Sequence, residues 1–189
     1  MSSSKPPSTN DQSLEALRRG EREVLHQLFR DLQPRLYRFV WLKTKSVEVA
    51  EDIVQETFLR VWRARKKLKT GTRLATFVFR IGNNLATDHV RRDERHKDLD
   101  QQNPEAAGVP SAAEEQAEYN QLTQIIDRIV SSLPDAQRTA FLLSRYENLQ
   151  HKEIAEVMDI SVRTVEKHVG KALQTLKEKL SAFDIVLPS

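Results

Sequence analysis

The sequence predicts an all-α protein of two small helical domains joined by a flexible acidic linker, with a helix-turn-helix in the C-terminal domain. Apolar residues recur at three- and four-residue spacing along nearly the whole chain, which is the period of a helix with one buried face. Glycine occurs only five times in 189 residues. The stretch DLDQQNPEAAGVPSAAEEQ has two prolines, one glycine and almost no large apolar residue, so it separates two helical segments.

The same patterns predict the domain boundaries. We expect a disordered N-terminal tail over residues 1–12 and a first helical domain over residues 13–96. Within that domain, EREVLHQLFRDL has helical spacing, Pro34 is expected to restart a helix, and Gly71 lies in a loop before the last helix. The linker is expected over residues 97–117, the second domain over residues 118–182 and a C-terminal tail over residues 183–189.

Composition argues against several classes of protein. Without cysteine, the chain has neither disulfides nor thiolate metal sites. The polar start MSSSKPPSTNDQS is not a secretory signal, and no apolar run is long enough for membrane insertion, so we expect a cytoplasmic protein. There is no glycine-rich phosphate loop, and none of the five histidines is paired at metal-ligand spacing. An enzyme therefore has little support, and we expect no catalytic residue, metal or cofactor.

The charge is unevenly distributed, although the net charge is only +3. Residues 60–97 carry twelve basic and three acidic side chains, a net charge of +9. Residues 98–127 carry seven acidic side chains and no basic one, a net charge of −7. A basic block is expected of a protein that binds a polyanion. An exposed lysine-rich helix face would give the same composition, so charge alone leaves both explanations open.

The segment AEDIVQETFLRVWRAR, residues 50–65, is expected to be a helix with two different faces. The face expected in the core contains Ile53, Val54, Thr57, Phe58, Val61 and Trp62. The opposite stripe contains Asp52, Gln55, Glu56, Leu59 and Arg63. The residues alone favour a solvated surface. The alternative is a docking face for a basic partner helix, with Leu59 as an apolar anchor.

The segment TFVFRIGNNLATDHVRRDER, residues 76–95, combines a core stripe with polar residues suited to nucleic acid. The expected core stripe is Leu74, Phe77, Val78, Ile81 and Leu85. The expected outer face is Arg80, Asn83, Asn84, Thr87 and Arg91. Guanidinium groups can hold phosphates and amides can read base edges. Phe79 either stacks on an unpaired base or completes the core, and the basic loop at residues 68–72 could receive a base turned out of its stack.

The segment HKEIAEVMDISVRTVEKHVGKAL, residues 151–173, predicts a helix-turn-helix. Asp159 is expected to be left-handed at the corner, and Ser161 is expected to cap the second helix. The buried stripe of that helix is expected to be Val162, Val165, Val169, Ala172, Leu173 and Leu176. The outward stripe is expected to be Arg163, Lys167, Gly170, Lys171 and Gln174. An outward basic stripe suits a recognition helix in the major groove, although helix pairs that bind no DNA look similar.

These segments, in this order, resemble bacterial sigma factors. AEDIVQETFLRVWRAR is similar to the polymerase-binding part of sigma region 2, and FVFRIGNNLATDHVRR is similar to the promoter-melting helix of that region. LPDAQRTAFLLSRYENLQHKEIAEVMDISVRTVEKHVGKALQTLKEKL resembles region 4. Only a linker separates the two regions, so the chain resembles the compact extracytoplasmic-function (ECF) group of the sigma-70 family.

The resemblance implies a protein, not an enzyme, that binds core RNA polymerase, directs it to specific promoters and promotes DNA opening. It implies docking on the clamp helices of the largest polymerase subunit for Asp52, Gln55, Glu56, Leu59, Arg60 and Arg63. It implies contact with the -10 element for Leu68, Lys69, Thr70, Gly71, Thr72, Arg80, Asn83, Asn84, Thr87, Asp88, Arg91 and Arg92. It implies reading of the -35 element for Ser161, Arg163, Thr164, Lys167 and Lys171.

The resemblance also implies further partners, namely the flap region of the polymerase and an anti-sigma factor. The family often has tryptophan where this chain has Phe77 and arginine where it has Asn83. The alternative hypothesis is a stand-alone helix-turn-helix regulator, which would bind duplex DNA tightly without polymerase. A separate hypothesis is that the acidic linker folds against the basic block and lowers the promoter affinity of the free protein.

Overall fold

The computed structural model describes residues 9–97 and 125–181, and the regular structure in both ranges is helical. The first range contains α1 (Thr9–Arg19), α2 (Arg22–Thr44), α3 (Val47–Ala64), a 3-10 turn (Arg65–Lys67) and α4 (Leu74–Lys97). The second contains α5 (residues 125–131), α6 (Asp135–Arg145), α7 (His151–Met158) and α8 (Val162–Ser181). The all-α prediction is confirmed. The predicted C-terminal tail and nearly all of the predicted linker lie outside the described residues.

Helices α2, α3 and α4 pack around the core of the first unit. Leu36 and Val40 of α2, Val61 of α3 and Val78 of α4 are all fully buried. At Gly82, α4 comes so close to α2 that an added Cβ would lie 2.7 Å from Leu36 Cδ1. Glycine at this position therefore permits the close approach of the two helices.

The N-terminal boundary differs from the prediction, because α1 begins at Thr9, inside the segment expected to be a tail. The Asn10 side chain accepts a hydrogen bond from Leu74 N at 3.1 Å and donates one to Thr72 O at 2.9 Å. Leu14 and Leu17 of the same helix are fully buried in the core. These long-range contacts hold the first helical turn in place, although its sequence is polar and looks like a tail.

Helix α2 also differs from the prediction, because it is one continuous helix through Pro34 rather than two helices. An internal proline removes one backbone hydrogen bond and costs about 3 kcal/mol in a helix. Leu32 and Leu36 are buried on either side of Pro34. Their packing into the core offsets this cost and keeps both halves of the helix in line.

The second unit, α5 to α8, packs against the first. Helix α8 lies across α6 and α7, and its residues Val165, Val169, Ala172 and Leu176 are buried. Helix α7 packs against α4, and α6 packs against α2. The surface of the first unit that includes α4 is therefore partly covered by the second unit. Within residues 9–97 and 125–181, no helix combines the length and apolar character needed to cross a membrane.

Candidate polymerase- and DNA-binding surfaces

Helix α3 has the two faces that its sequence predicts. Ser46 caps the helix by accepting a hydrogen bond from Val49 N at 3.3 Å. The buried face includes Ile53, Val54, Thr57, Phe58 and Val61, whereas Trp62, also expected in the core, is only half-buried. The opposite face, here called the α3 docking face, contains Asp52, Gln55, Glu56, Leu59, Arg60 and Arg63. All six side chains are exposed or half-exposed, and Leu59 is 51% exposed, among the exposed large apolar residues of the part of the chain that the structure describes.

One ion pair lies within the α3 docking face. Arg60 Nε donates to Glu56 Oε1 at 2.7 Å, and this hydrogen bond holds the pKa of Glu56 below its ordinary value. Phe29 of α2 is also exposed and lies edge-on to Phe58 at 4.9 Å between ring centroids. The sequence placed Phe29 in a helical apolar stripe and gave no sign of its exposure. Phe29 therefore packs on Phe58, a residue of the buried face of α3.

The loop at residues 68–72 is fixed at both ends. Leu68 is buried, so this predicted DNA-contact residue anchors the loop instead of facing outward. Thr72 N donates to Lys69 O at 3.1 Å, and Asn10 holds Thr72 as described above. Gly71 has a φ of 80°, a conformation that suits glycine. Lys69, Thr70 and Gly71 project from this anchored turn and are exposed.

Helix α4 presents an exposed polar stripe that continues from the loop. The exposed members, here called the α4 stripe, are Arg80, Asn84, Asp88, Arg91 and Arg92. The guanidinium carbon of Arg80 lies 5.2 Å from the centre of the Phe77 ring. Arg92 Nε donates to Asp88 O at 3.1 Å, which ties its side chain along the helix. Guanidinium and amide groups in one stripe suit contact with phosphates and base edges.

The structure corrects the predicted faces of α4 at several positions. Asn83 is only 7% exposed and does not belong to the open stripe, and Thr87 is half-buried beside it. Phe79 is fully buried and packs edge-on against Phe39 at 5.7 Å, so it completes the core and cannot stack on a base. Phe77, Ile81 and Leu85 are only half-buried, because the most buried side of α4 is rotated toward Val78, Phe79 and Ala86.

Lys43 of α2 is a buried cation, which the sequence patterns described above do not predict. Its Nζ donates to Asn83 Oδ1 at 2.9 Å, Thr87 Oγ1 at 3.2 Å and Thr139 Oγ1 at 2.7 Å, and it pairs with Asp135 at 3.1 Å. Burial lowers the pKa of Lys43, and the neighbouring Asp135 carboxylate opposes that shift. One sequence signal could have found this residue: Lys43 continues the helical register of the buried Leu36 and Val40.

The helix-turn-helix has the predicted corner. Asp159 is left-handed, with φ of 53° and ψ of 49°, and its backbone N–H donates to Ala155 O. Ser161 Oγ accepts from Thr164 N at 3.1 Å, so it caps α8 as expected. Gln150 and Glu153 form a reciprocal capping box at the start of α7. The bend between α7 and α8 is thus set by side chains on both sides of the turn.

Helix α8 exposes the predicted basic stripe. Arg163, Lys167 and Lys171 are exposed, while Thr164 is half-exposed and shares a 2.7 Å hydrogen bond with Ser161. The expected burial of Val162 and Leu173 is wrong, because both are among the exposed large apolar residues. Their stripe lies beside the core stripe, and no helix within residues 9–97 and 125–181 buries it. Among the described residues, no group of three or more His, Asp or Glu side chains could hold a metal ion.

Comparison with known proteins matches both units to one family. Residues 28–96 match the model of Sigma-70 region 2, and residues 123–176 match that of Sigma-70, region 4. The ferric citrate uptake sigma factor FecI of Escherichia coli is 34% identical over 139 residues, covering 71% of this chain and 79% of FecI. The RNA polymerase sigma factor CarQ of Myxococcus xanthus is 28% identical over 172 residues, covering 91% of this chain and 98% of CarQ.

Solved structures show the same fold. CnrH, solved in complex with the cytosolic domain of CnrY, superposes with a TM-score of 0.70 at 20% identity and covers 93% of this chain and 99% of that one. RpoE of Bartonella quintana, solved with the anti-sigma factor NepR, gives a TM-score of 0.70 at 22% identity, covering 82% and 96%. Both comparisons support the all-helical arrangement of two units.

The fold and the paired family matches define a bacterial transcription initiation factor. The chain belongs to the ECF group of the sigma-70 family, and it directs RNA polymerase to promoters. Sigma factors are non-catalytic initiation factors, and promoter DNA and core RNA polymerase are their partners. The alternative of a stand-alone helix-turn-helix regulator is not favoured.

Proposed function

We propose that the α3 docking face binds the clamp helices of the largest polymerase subunit. Its six residues are solvent-accessible, and Leu59 offers an apolar anchor between charged neighbours. An exposed leucine surrounded by polar residues is the arrangement that a partner helix can cover.

Promoter opening is assigned to the loop at residues 68–72 and helix α4. The anchored loop presents Lys69, Thr70 and Gly71, and the α4 stripe continues the surface with cations and an amide. These groups would hold the non-template strand of the -10 element through phosphates and base edges. Leu68 supports the loop from the core, whereas Asn83 and Thr87 are bound by Lys43, which also pairs with Asp135 of the second unit.

Recognition of the -35 element is assigned to α8. The observation that carries this assignment is the outward set of Arg163, Lys167 and Lys171, directly after a corner capped by Ser161. The first turns of a recognition helix enter the major groove, where Arg and Lys can pair with guanine. Ser161 and Thr164 lie at the same end of the helix and suit phosphate contacts.

Two further partners belong to this proposal. The exposed Val162 and Leu173 give α8 an apolar stripe beside its basic one, which suits the flap region of the polymerase. The same apolar surfaces and Leu59 would also suit an anti-sigma factor, and RpoE of Bartonella quintana is solved with one. We place the protein in the cytoplasm with its polymerase, acting without cofactor, metal or catalytic residue of its own.

Transcription in vitro tests the whole assignment. Purified core RNA polymerase, sheared genomic DNA and the protein are combined, and the 5′ ends of the transcripts are mapped. We expect protein-dependent start sites that share two upstream motifs at constant spacing. Tight binding of the protein alone to a pseudo-palindromic duplex, with no protein-dependent start site, would support the stand-alone regulator instead.

A further inference from the structure

The ion pairs between the two units all have the same polarity. In the part of the chain that the structure describes, four ion pairs join the units at 2.7–3.1 Å. In each pair the cation belongs to the first unit and the carboxylate to the second. The pairs are Arg35–Glu147, Arg38–Asp127, Lys43–Asp135 and Arg73–Glu153. The second unit therefore presents anions to the first, as a DNA backbone would.

Glu153 lies in a cleft beside the loop at residues 68–72. Its Oε1 accepts from Arg73 Nη1 at 2.7 Å and from Thr76 Oγ1 at 3.1 Å, and its Oε2 accepts from Gln150 N at 2.9 Å. A cleft of about 670 Å³ lies here between the loop, the start of α4 and α7. Lys67, Lys69 and other basic side chains line it. A carboxylate held by a guanidinium in such a basic cleft takes the place that a phosphate oxygen would take.

Asp135 of α6 is a second carboxylate of the second unit that pairs with a cation of the first. It pairs with the buried Lys43, whose other hydrogen bonds reach Asn83 and Thr87, two residues assigned to the -10 element. Thr139 of α6 accepts the remaining bond. Helix α6 therefore completes the coordination of Lys43, the same ammonium group that binds Asn83. The same face cannot hold α6 and a DNA strand at once.

We propose that Lys43 and Arg73 are additional contacts to -10 phosphates, and that Asp135 and Glu153 occupy them in the free protein. Region 4 is then an intramolecular competitor of promoter DNA for region 2. When the second unit moves away, Lys43 keeps its hydrogen bonds to Asn83 and Thr87 but no longer pairs with the Asp135 carboxylate. Its ammonium charge then needs water or a phosphate as a partner. This inference rests on the proposed assignment of α4 to the -10 element.

If the two units compete with DNA in this way, weakening the contact between them should strengthen DNA binding by the free protein. The apparent affinity of a protein falls with the fraction of molecules in the competent state. The test variant is Asp135→Asn with Glu153→Gln, since glutamine can still form the capping box with Gln150. The matched control is Asp31→Asn with Glu178→Gln, which changes the net charge equally at exposed positions outside the contact.

Two measurements read the result without polymerase. Because the chain has no cysteine, spin labels can be placed at E51C and K177C, and pulsed electron resonance gives the distance between the units. Fluorescence anisotropy gives affinity for a labelled random-sequence single-stranded oligonucleotide. We expect the test variant to lengthen the distances and to bind at least about threefold more tightly than the control. If the test variant keeps the wild-type distances, or if its affinity for the oligonucleotide rises no more than that of the control variant, the proposed competition is wrong.

A separate variant tests whether Lys43 contacts DNA directly. In the Asp135→Asn, Glu153→Gln background, Lys43→Gln should weaken oligonucleotide binding and reduce the salt slope by about 0.7, the single-strand value for one phosphate contact. An unchanged slope with native helical content would remove Lys43 from the DNA contact. Transcription by the wild-type protein is measured in parallel. Failure there would refute the proposed function, while unchanged distances with normal transcription would refute only this inference.

Discussion

Leu59 gives the sharpest test of the α3 docking face. It is 51% exposed, so about half of its surface is left for a partner to bury. Full burial of a leucine side chain contributes about 1.5–3 kcal/mol, so covering the remaining half contributes about 0.8–1.5 kcal/mol. Leu59→Ala should therefore weaken polymerase binding about fourfold to twelvefold. Leu59→Asp should weaken it further, because the contact would bury an unpaired carboxylate.

The assay is the affinity of labelled protein for core polymerase, with thermal unfolding followed by circular dichroism. The exposed position of Leu59 predicts a small change in the free energy of unfolding, within about 1 kcal/mol. Glu51→Ala is the control, because Glu51 is exposed on α3 but lies outside the docking face. Wild-type affinity of a natively folded Leu59→Asp variant would refute the assignment of this face.

Three other predictions concern α8, the corner and pH. Lys167→Ala should cost about 1–3 kcal/mol of promoter-binding free energy if Lys167 reads a base. Lys177→Ala is the control, because Lys177 is exposed on the same helix and should not change this affinity. An equal loss of affinity on all promoter variants would instead indicate a phosphate contact. Asp159→Gly should raise the urea-unfolding free energy by about 0.5–1 kcal/mol, since a left-handed conformation is costly for other residues; a decrease would contradict this. Burial opposes ionisation of Glu153, but hydrogen bonds from Gln150 and Arg73 keep its pKa below the ordinary value. Its contribution is therefore present at neutral pH and lost as pH falls through that pKa, so the stability difference between wild type and Glu153→Gln should shrink in acid.

Local features of the helix-turn-helix were predictable because they depend on neighbours in sequence. The left-handed Asp159 and the Ser161 cap each follow from residue types within a few positions. The two faces of α3 likewise follow from helical spacing alone. In α8 the same spacing predicted too wide a buried stripe, because none of the described helices buries Val162 and Leu173.

Helix α4 shows where spacing is insufficient. Its sequence has apolar residues on more than one side, so the period does not specify which side faces α2 and α3. Packing of Phe79 against Phe39 selects the side. The start of α1 was missed for a related reason, since Asn10 is held by Thr72 and Leu74, more than sixty positions away.

The sequence by itself determined that the chain is helical, where the helix-turn-helix lies, which face of α3 is open and to which family the chain belongs. Only the tertiary structure decided that Lys43 and Asn83 are buried and that carboxylates of the second unit pair with cations of the first. Helical period and capping act over a few residues. The environment of Lys43 depends on α4 and α6, whose contacting residues lie 40–96 positions away, and no local pattern specifies such partners.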